Sequence, residues 1–324
     1  MNNPTITPPP PALPGLTWRQ VDRDDLGVLV DLAHTCLVAD GGLGFLFEPD
    51  ALTDRYFSDT PGARIGAFAP DRRLVACAAV HLDGDSGDQR AIIVGQVRPD
   101  QRSQGIGDYL MRWSQAQAQS LLARAPGKQL VLQISTESLT EPADRLYHAH
   151  GFQRVDESLV MRRDLRLPLP DCHLPPGITL AIWQPDLAEQ FFQAYHAAFR
   201  DRPGFPSWSA AEWITRVTGN DLIPDWSLLV RAADVPLGFI IGCVDLTTAP
   251  PGGFVWQVGV IPTHRRRGLA SALLVETMRR MQAAGSPSAE LTVHLNNPGA
   301  IQAYARLGFT TIGRRARYER TAGS

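Results

Sequence analysis

Apolar and polar positions follow one order that occurs twice along the chain. In the second half, short apolar runs typical of strands alternate with segments whose apolar residues recur every three to four positions, as in amphipathic helices. Strands are predicted at 178–183, 226–233, 238–247, 253–261, 289–296 and 311–320. Helices are predicted at 186–201, 209–219, 267–284 and 298–307, with turns at 234–236 and 249–253. This order predicts an α+β domain with a mixed sheet.

Two passages of the second half also occur in the first. VGQVRPDQRSQGIGDYLM, from Val94, matches QVGVIPTHRRRGLASALL, from Gln257, with a proline, an arginine and a glycine coinciding at an offset of 163. ADRLYHAHGF, from Ala143, matches AIQAYARLGF, from Ala300. Because both matches stand in the same order, the repeat is a whole domain.

Domain boundaries follow from the prolines. The segment RLPLPDCHLPPG (166–177) blocks helix and central strand and marks a linker, so one domain is expected at 15–165 and another at 178–324. Residues 1–14, with the run Pro8 to Pro11, are expected to form a disordered arm.

The composition is that of an ordinary globular protein. Of 324 residues 44% are hydrophobic and 20% charged, and the net charge of -2 gives no global field for nucleic acid or an anionic membrane. No apolar run is long enough to span a membrane, and the start lacks the features of a signal peptide. Four scattered cysteines without a C-x-x-C pair predict neither a disulfide framework nor a metal site, so a cytoplasmic location is expected.

The repeated R-x-x-G-x-[GA] segment, between a strand and a long helix, predicts an anion site. The first N–H groups of a helix have no partner within it, and the helix dipole adds positive potential there. Gly268 allows close approach of the backbone, and Arg265 to Arg267 can add charge-assisted contacts. A plain capped helix with a solvated basic start is the alternative, and the second copy of the motif weakens it.

These motifs resemble those of the GCN5-related N-acetyltransferase superfamily. Its signature combines R-x-x-G-x-[GA] with N-x-x-A-x-x-x-Y-x-x-x-G-F, which stands here from Asn297 through Tyr304 to Phe309. The resemblance covers both halves and implies two tandem acyltransferase domains. It also implies acetyl-CoA as cosubstrate, no metal, and direct transfer to a primary amine by a monomer or homodimer. A CoA-sensing or scaffold protein without turnover is the alternative.

The resemblance also assigns residues in the second half. Tyr304 would be the general acid that protonates the leaving thiolate; its alternative role is packing on the apolar face of its helix. Asn297 would hydrogen-bond the pantetheine arm or serve only as an N-cap. The pantetheine arm would pair with Val258, Gly259 and Val260, and the diphosphate would lie on Arg265, Arg266, Arg267, Gly268, Leu269, Ala270 and Ser271.

A general base is not evident in the sequence. Related enzymes often carry a carboxylate on the fourth strand, where this chain has Gln257, which cannot take a proton. Asp245 is the nearest acid and is interpreted as an exposed residue at a strand end. A weakly basic amine, or a base that acts through water, is therefore expected.

The first half departs from the motif at several positions. Asp108 stands where the second half has Ser271, Thr140 stands where it has Asn297, and one arginine replaces three. A carboxylate beside a diphosphate would repel it, so the second half is expected to be catalytic. A second CoA site remains possible at Gly95, Gln96, Val97, Arg102, Gly105, Ile106, Gly107 and Tyr147.

Two further groups of residues have open roles. The arginines of the last strand, Arg314, Arg315, Arg317 and Arg320, either contact the CoA 3'-phosphate or an acidic substrate, or lie on a solvated face. In the region that shapes the acceptor pocket of the family, the aromatic residues are pocket lining or plain core: Phe205, Trp208 and Trp213.

Overall fold

The fold comes from a computed structural model that describes residues 9–83, 89–123, 130–202, 205–206, 208–219, 221–246 and 250–321. Among these residues, no helix combines the length and apolar character needed to cross a membrane. The chain divides into two compact units. The first comprises residues 1–159 and 312–324, and the second comprises residues 160–311.

The first unit is a sheet with helices on both faces. One face packs on α3 and α4 through Tyr109, Trp113 and Leu146, and the other packs on α1 and α2 through Leu32 and Leu52. Its elements are β1 (Thr17–Arg19), α1 (Leu26–Asp40), α2 (Pro49–Tyr56), β2 (Gly62–Phe68), β3 (Leu74–Asp83), β4 (Gln89–Val97), α3 (Ile106–Leu122), β5 (Leu130–Thr136) and α4 (Glu141–Ala149).

The second unit repeats this order after β6 (Gln153–Asp164), which reaches the second unit at Val160. Its elements are β7 (Thr179–Ile182), α5 (Ala188–Phe199), α6 (Ala210–Thr218), β8 (Leu228–Ala232), β9 (Val235–Asp245), β10 (Gly252–Val260), α7 (Leu269–Ala283), β11 (Ser288–His294) and α8 (Pro298–Arg306). The last strand, β12 (Thr310–Thr321), begins in the second unit and belongs to the first unit from residue 312.

The second unit also has a layer on each face of its sheet. On one face, α5 and α6 cover the sheet with an aromatic core that includes Tyr195, Trp213 and Phe239. On the other face lies α7, whose Thr277 donates a hydrogen bond to the carbonyl of Trp226 at 3.0 Å. Close packing against α7 explains Gly253, where a Cβ would collide with the side chain of Met281.

The last strand of the chain completes the sheet of the first unit. Residues Ala316 to Thr321 of β12 pair antiparallel with β5, which gives the strand order β1-β2-β3-β4-β5-β12. In the second unit the order is β6-β11-β10-β9-β8-β7. Each sheet therefore contains a strand from the end of the other sequence half.

The predicted mixed α+β architecture is confirmed, with modest differences at element ends. Residue Val235 already pairs with Ala232, so the predicted turn at 234–236 is shorter. Pro236 lies opposite Arg231, where the β8–β9 register shifts, because proline has no N–H for the ladder. Of the turn at 249–253, Ala249 lies outside the described residues, as do the first eight residues of the arm and Thr247 of the predicted strand.

Candidate active site

Each sheet opens at the same place. In the first unit, parallel pairing of β4 with β5 ends at Ile93 and Ile134, although β4 continues to Val97. In the second unit, pairing of β10 with β11 ends at Val255 and Leu291, and β10 continues to residue 260. The opening leaves one edge of the strand available to pair with an extended ligand such as a pantetheine arm.

The loops after these strands have the same backbone geometry. Gly105 and Gly268 are the N-caps of α3 and α7, with φ of 81° and 80°. Two residues earlier, Ser103 and Arg266 have φ of 64° and 60°. Since glycine has no side chain to cap the helix, the first N–H groups of each helix are accessible to an anion.

The motif arginines tie each loop to the strand before it. Arg102 Nε donates to the carbonyl of Val97 at 3.0 Å, and Arg265 Nε donates to that of Val260 at 3.2 Å. Arg265 also donates to the carbonyl of Ala198 at 2.9 Å. Arg265 thus makes internal bonds, whereas the side chains of Arg266 and Arg267 are exposed.

A cavity of about 390 Å³ lies in the first unit at the opening between β4 and β5. The side-chain oxygen Oε1 of Gln96 is buried there and has no partner among the described residues, which suits a polar group of a ligand. All predicted residues of the second CoA site except Ile106 line this cavity: Gly95, Gln96, Val97, Arg102, Gly105, Gly107 and Tyr147. Ile106 belongs to the core.

Charges at this cavity are paired within the first unit. Arg102 binds Asp40 through two nitrogens, at 2.7 and 2.6 Å. The carboxylate of Asp108 contacts Arg112 and His150, each at 2.9 Å. The guanidinium of Arg112 offsets the negative charge that Asp108 brings to the start of α3.

The two motif tyrosines have different surroundings. Burial raises the pKa of Tyr147; Thr136, Arg55 and Arg102 oppose that rise, and Asp40 adds to it. Burial also raises the pKa of Tyr304, and Arg202 opposes that rise. Cations therefore act on both phenols, through Arg55 and Arg102 in the first unit and through Arg202 in the second.

The position of Arg202 follows from stacked contacts. Its guanidinium lies 4.1 Å from the ring centre of Phe199. That ring lies 3.0 Å from the place a Cβ of Gly259 would occupy. These contacts bring Arg202 to the strand segment, Val258 to Val260, that the resemblance assigns to the pantetheine arm.

Asn297 and Thr140 are both N-caps. The Asn297 Oδ1 accepts from the backbone N–H of Ala300 at 3.3 Å, and Thr140 Oγ1 accepts from that of Ala143 at the same distance. The N-cap role expected for Asn297 is thus present, and its amide nitrogen is a separate donor.

Aromatic side chains crowd the sheet face that α5 and α6 cover, here called the acceptor face. Trp213 is fully buried and donates from Nε1 to Oε1 of Gln257 at 3.2 Å. Trp208 is half-buried and stacks on Tyr195, with ring centres 6.4 Å apart. Trp213 is therefore core, whereas Trp208 lies at the border of this layer.

The structure corrects the interpretation of Asp245, which is 4% exposed rather than an exposed strand end. A second acid that sequence reasoning missed, Glu290 on β11, is 3% exposed and accepts from Arg162 Nε at 2.7 Å. In the sequence, Glu290 is a single charged residue within the apolar run AELTVHLN. The alternation of apolar and polar residues alone does not distinguish such a buried acid from a solvent-facing residue.

The arginines of β12 lie in the first unit. Arg314 binds Glu157 and Glu141, and Arg315 binds Glu137. Arg320 donates to the carbonyl of His150 at 2.8 Å. These contacts, rather than a ligand phosphate, account for the positions of the three side chains. Within the described part of the chain, no group of histidine, cysteine and acidic residues is arranged to hold a metal ion.

Protein-family comparisons recognise both halves. A model described as the acetyltransferase (GNAT) family matches residues 184–309, and one described as an acetyltransferase (GNAT) domain matches residues 65–154. The chain belongs to the GNAT acetyltransferase family, as a tandem member with two such domains, and it is an acyltransferase.

Among characterised relatives, those named mycothiol acetyltransferase are similar over most of their length. The protein of Frankia alni is 30% identical over 95% of both chains. That of Acidothermus cellulolyticus is 27% identical over 86% of both. A GCN5-related N-acetyltransferase structure from Sphaerobacter thermophilus superposes with a TM-score of 0.73 at 27% identity, covering 95% of this chain and 96% of that one.

A tandem GNAT protein from the clavulanic acid biosynthesis pathway shares the fold. Its TM-score is 0.62 at 17% identity, with coverage of 95% of this chain and 99% of that chain.

Proposed function

We propose that the protein transfers the acetyl group of acetyl-CoA directly to a primary amine of a small molecule or peptide, with the second unit catalytic. The observation that carries this proposal is the open β10–β11 edge, and the charge of Arg202 that acts on Tyr304 supports it. Acetyl-CoA would supply an activated acetyl thioester. Residues 258–260 would pair with its pantetheine arm, and the start of α7 with Arg266 and Arg267 would hold its diphosphate.

Tyr304 would complete the transfer by giving its hydroxyl proton to the departing thiolate. A neutral phenol is the correct donor state near neutral pH, since its unperturbed pKa is about 10 and burial raises it further. The neighbouring Arg202 opposes this rise and so favours release of the proton.

The acceptor is expected to resemble that of the relatives. Their name makes deacetylated mycothiol the first amine to test on this chain, with glucosamine and a cysteinyl peptide as comparisons. The half-buried aromatic border at Trp208 supports a small acceptor, because such side chains commonly line small-molecule sites.

A matched pair of variants tests which unit is catalytic. With acetyl-CoA and these amines, we expect Tyr304→Phe to lower kcat by roughly 10²-fold and to change the KM for acetyl-CoA little. Tyr147→Phe should keep wild-type turnover. Acetylated product is measured by mass spectrometry, because a thiol acceptor would interfere with detection of free CoA. The opposite result would assign catalysis to the first unit, and two unaffected variants would exclude the tyrosine acid.

The first unit is proposed as a second CoA site, on the evidence of its cavity and the unpartnered Gln96 oxygen. Calorimetry should then find two CoA molecules per chain. Ser103→Asp puts a carboxylate on the first diphosphate loop, at a positive φ that aspartate tolerates, and should remove one of them. Arg266→Asp makes the matched change in the second loop and should lower turnover. One CoA per wild-type chain would contradict the second site.

A further inference from the structure

Glu290 lies on β11, close to the point where β10 and β11 separate. Its Cα partner across the ladder is Phe254, and the pairing of β10 with β11 ends one residue later, at Val255 and Leu291. Glu290 therefore belongs to the second-to-last residue pair before the two strands separate.

The register also fixes the face on which Glu290 lies. Residues directly opposite on paired strands share a face, as do residues two apart on one strand. Asp245 is opposite Gly252, and Glu290 is opposite Phe254, so both acids lie on the face to which Phe254 belongs. Phe254 packs against the aromatic core under α5 and α6, which makes this the acceptor face.

Among the described residues, one carboxylate oxygen of Glu290 has a hydrogen-bond donor and the other does not. Arg162 on β6 donates to Oε1, whereas Oε2 is buried without a hydrogen-bond partner among the described residues. Leaving a buried carboxylate oxygen unpaired costs free energy, so a structural ion pair alone does not account for it. Asp245 places a second negative charge nearby, which raises the pKa of Glu290.

We propose that Glu290 is the general base of the second unit, with Oε2 taking the proton that the acceptor ammonium must lose, directly or through one water. This assignment rests on the proposed function and supplies the base that the fourth strand lacks. The charged groups that face it are Arg162 from β6 and Asp245 from β9. Burial and the negative charge of Asp245 favour the protonated form of Glu290, and the positive charge of Arg162 opposes it. Glu290 can therefore accept a proton from the amine rather than stay a fixed anion.

The proton balance is complete without a further reactant. An ammonium acceptor gives one proton to Glu290 and becomes a neutral amine, whose nitrogen forms a bond to the acetyl carbon as the carbon–sulfur bond breaks. Tyr304 gives its proton to sulfur and becomes a phenolate, and the second proton lost from nitrogen returns to that phenolate, directly or through water. Glu290 then releases its proton to solvent, so each turnover yields one amide, one thiol and one proton.

Glu290→Gln tests the assignment, because glutamine keeps the shape and an oxygen for Arg162. The amine is whichever of deacetylated mycothiol, glucosamine and the cysteinyl peptide the wild type acetylates fastest. At pH 6.5 we expect kcat/KM to fall by about 10²-fold, and the loss to shrink to about tenfold or less near pH 9, where the amine is neutral without help. A pH profile parallel to that of the wild type would overturn the proposal.

Controls separate this role from folding and from the proposed function. Glu157→Gln removes an arginine-paired carboxylate, 8% exposed, from the first unit and should leave the profile unchanged. If Glu290→Gln does not fold, Glu290→Asp replaces it, and an undiminished kcat there contradicts the base. Tyr304→Phe should lower kcat at every pH. If the wild type acetylates none of the three amines, both the proposed function and this assignment fail.

Discussion

The two motif tyrosines are both buried phenols on which cations act. Burial raises the pKa of Tyr147, while Thr136, Arg55 and Arg102 oppose the rise and Asp40 adds to it. Burial also raises the pKa of Tyr304, and Arg202 opposes that rise. The guanidinium of Arg202 therefore strengthens Tyr304 as an acid, and the matched tyrosine variants decide which unit protonates a leaving thiolate.

Replacing Arg202 should therefore move the alkaline limb of the pH profile. Tyr304 must be protonated to act, so kcat falls as pH rises through its pKa. Without the cation that pKa is higher, and Arg202→Gln should shift the limb to higher pH while lowering kcat at neutral pH. Arg202→Lys keeps the charge and should retain the wild-type limb. An unmoved limb in Arg202→Gln would show that the guanidinium does not act on Tyr304.

Glu290 should also affect stability in a pH-dependent way. Burial raises its pKa, and Asp245 adds to the rise, although Arg162 opposes it. A raised pKa means that the folded state holds the proton more tightly, so ionisation of Glu290 costs stability as pH rises above the unfolded value. The melting temperature of Glu290→Gln, relative to that of the wild type, should rise as the pH increases above about 4. A difference in melting temperature that is constant with pH would contradict the raised pKa.

The sequence identified the residues of the repeated motifs, but not the residues whose surroundings come from distant parts of the chain. Gly268 and Tyr304 belong to a motif whose spacing is visible along the chain. Glu290 depends on Arg162, which is 128 residues away, and Asp245 is buried by a strand that follows it. Such contacts depend on register across strands, which alternation within one strand does not define.

At the scale of elements, the loop before each long helix is the part the sequence predicted most directly. The motif requires a glycine where φ is 81° in one copy and 80° in the other, and both are N-caps. Predicted helix 267–284 is observed as Leu269–Ala283, and predicted strand 289–296 as Ser288–His294. Local patterns define such elements, because helical spacing and cap residues are properties of neighbours in the chain.

A pair of glycine substitutions tests the left-handed backbone conformation of this loop. At Gly268 the surrounding space is open but φ is 80°, so Gly268→Ala should cost about 1–2 kcal/mol through the backbone alone. Gly299 lies in α8, also with open space and without a positive φ, and Gly299→Ala should stabilise by about 0.5–1 kcal/mol. Urea unfolding measures both. Equal changes in the free energy of unfolding at the two sites would contradict a left-handed backbone at Gly268.

At the scale of the whole molecule, the position of β12 is what the repeat did not predict. The pattern identified a final strand at 311–320 and could not say which sheet it joins, since either would bury its apolar residues. Buried Tyr318 and Ala316 lie in the core of the first unit, beside β5. The boundaries expected from the linker, 15–165 and 178–324, remain a prediction for how the halves behave alone.

Removing residues 310–324 should therefore destabilise the first unit. Deletion leaves β5 with an open edge and leaves Glu137 and Glu157 without Arg315 and Arg314. Hydrogen exchange should show lost protection in β5 and α4. Amides of β8 and β9 in the second unit serve as the internal reference and should keep theirs. Protection lost only in the second unit would contradict this placement of β12.

The position of β12 also determines when the first unit can complete its sheet during synthesis on the ribosome. The first unit cannot finish its sheet when its own sequence half has emerged, because its sixth strand is the last to be made. At roughly 5–20 residues per second, about ten to forty seconds pass between synthesis of β5 and synthesis of that strand. During this interval the edge of β5 can pair with other nascent chains, so slow translation of the second half would favour aggregation of the first.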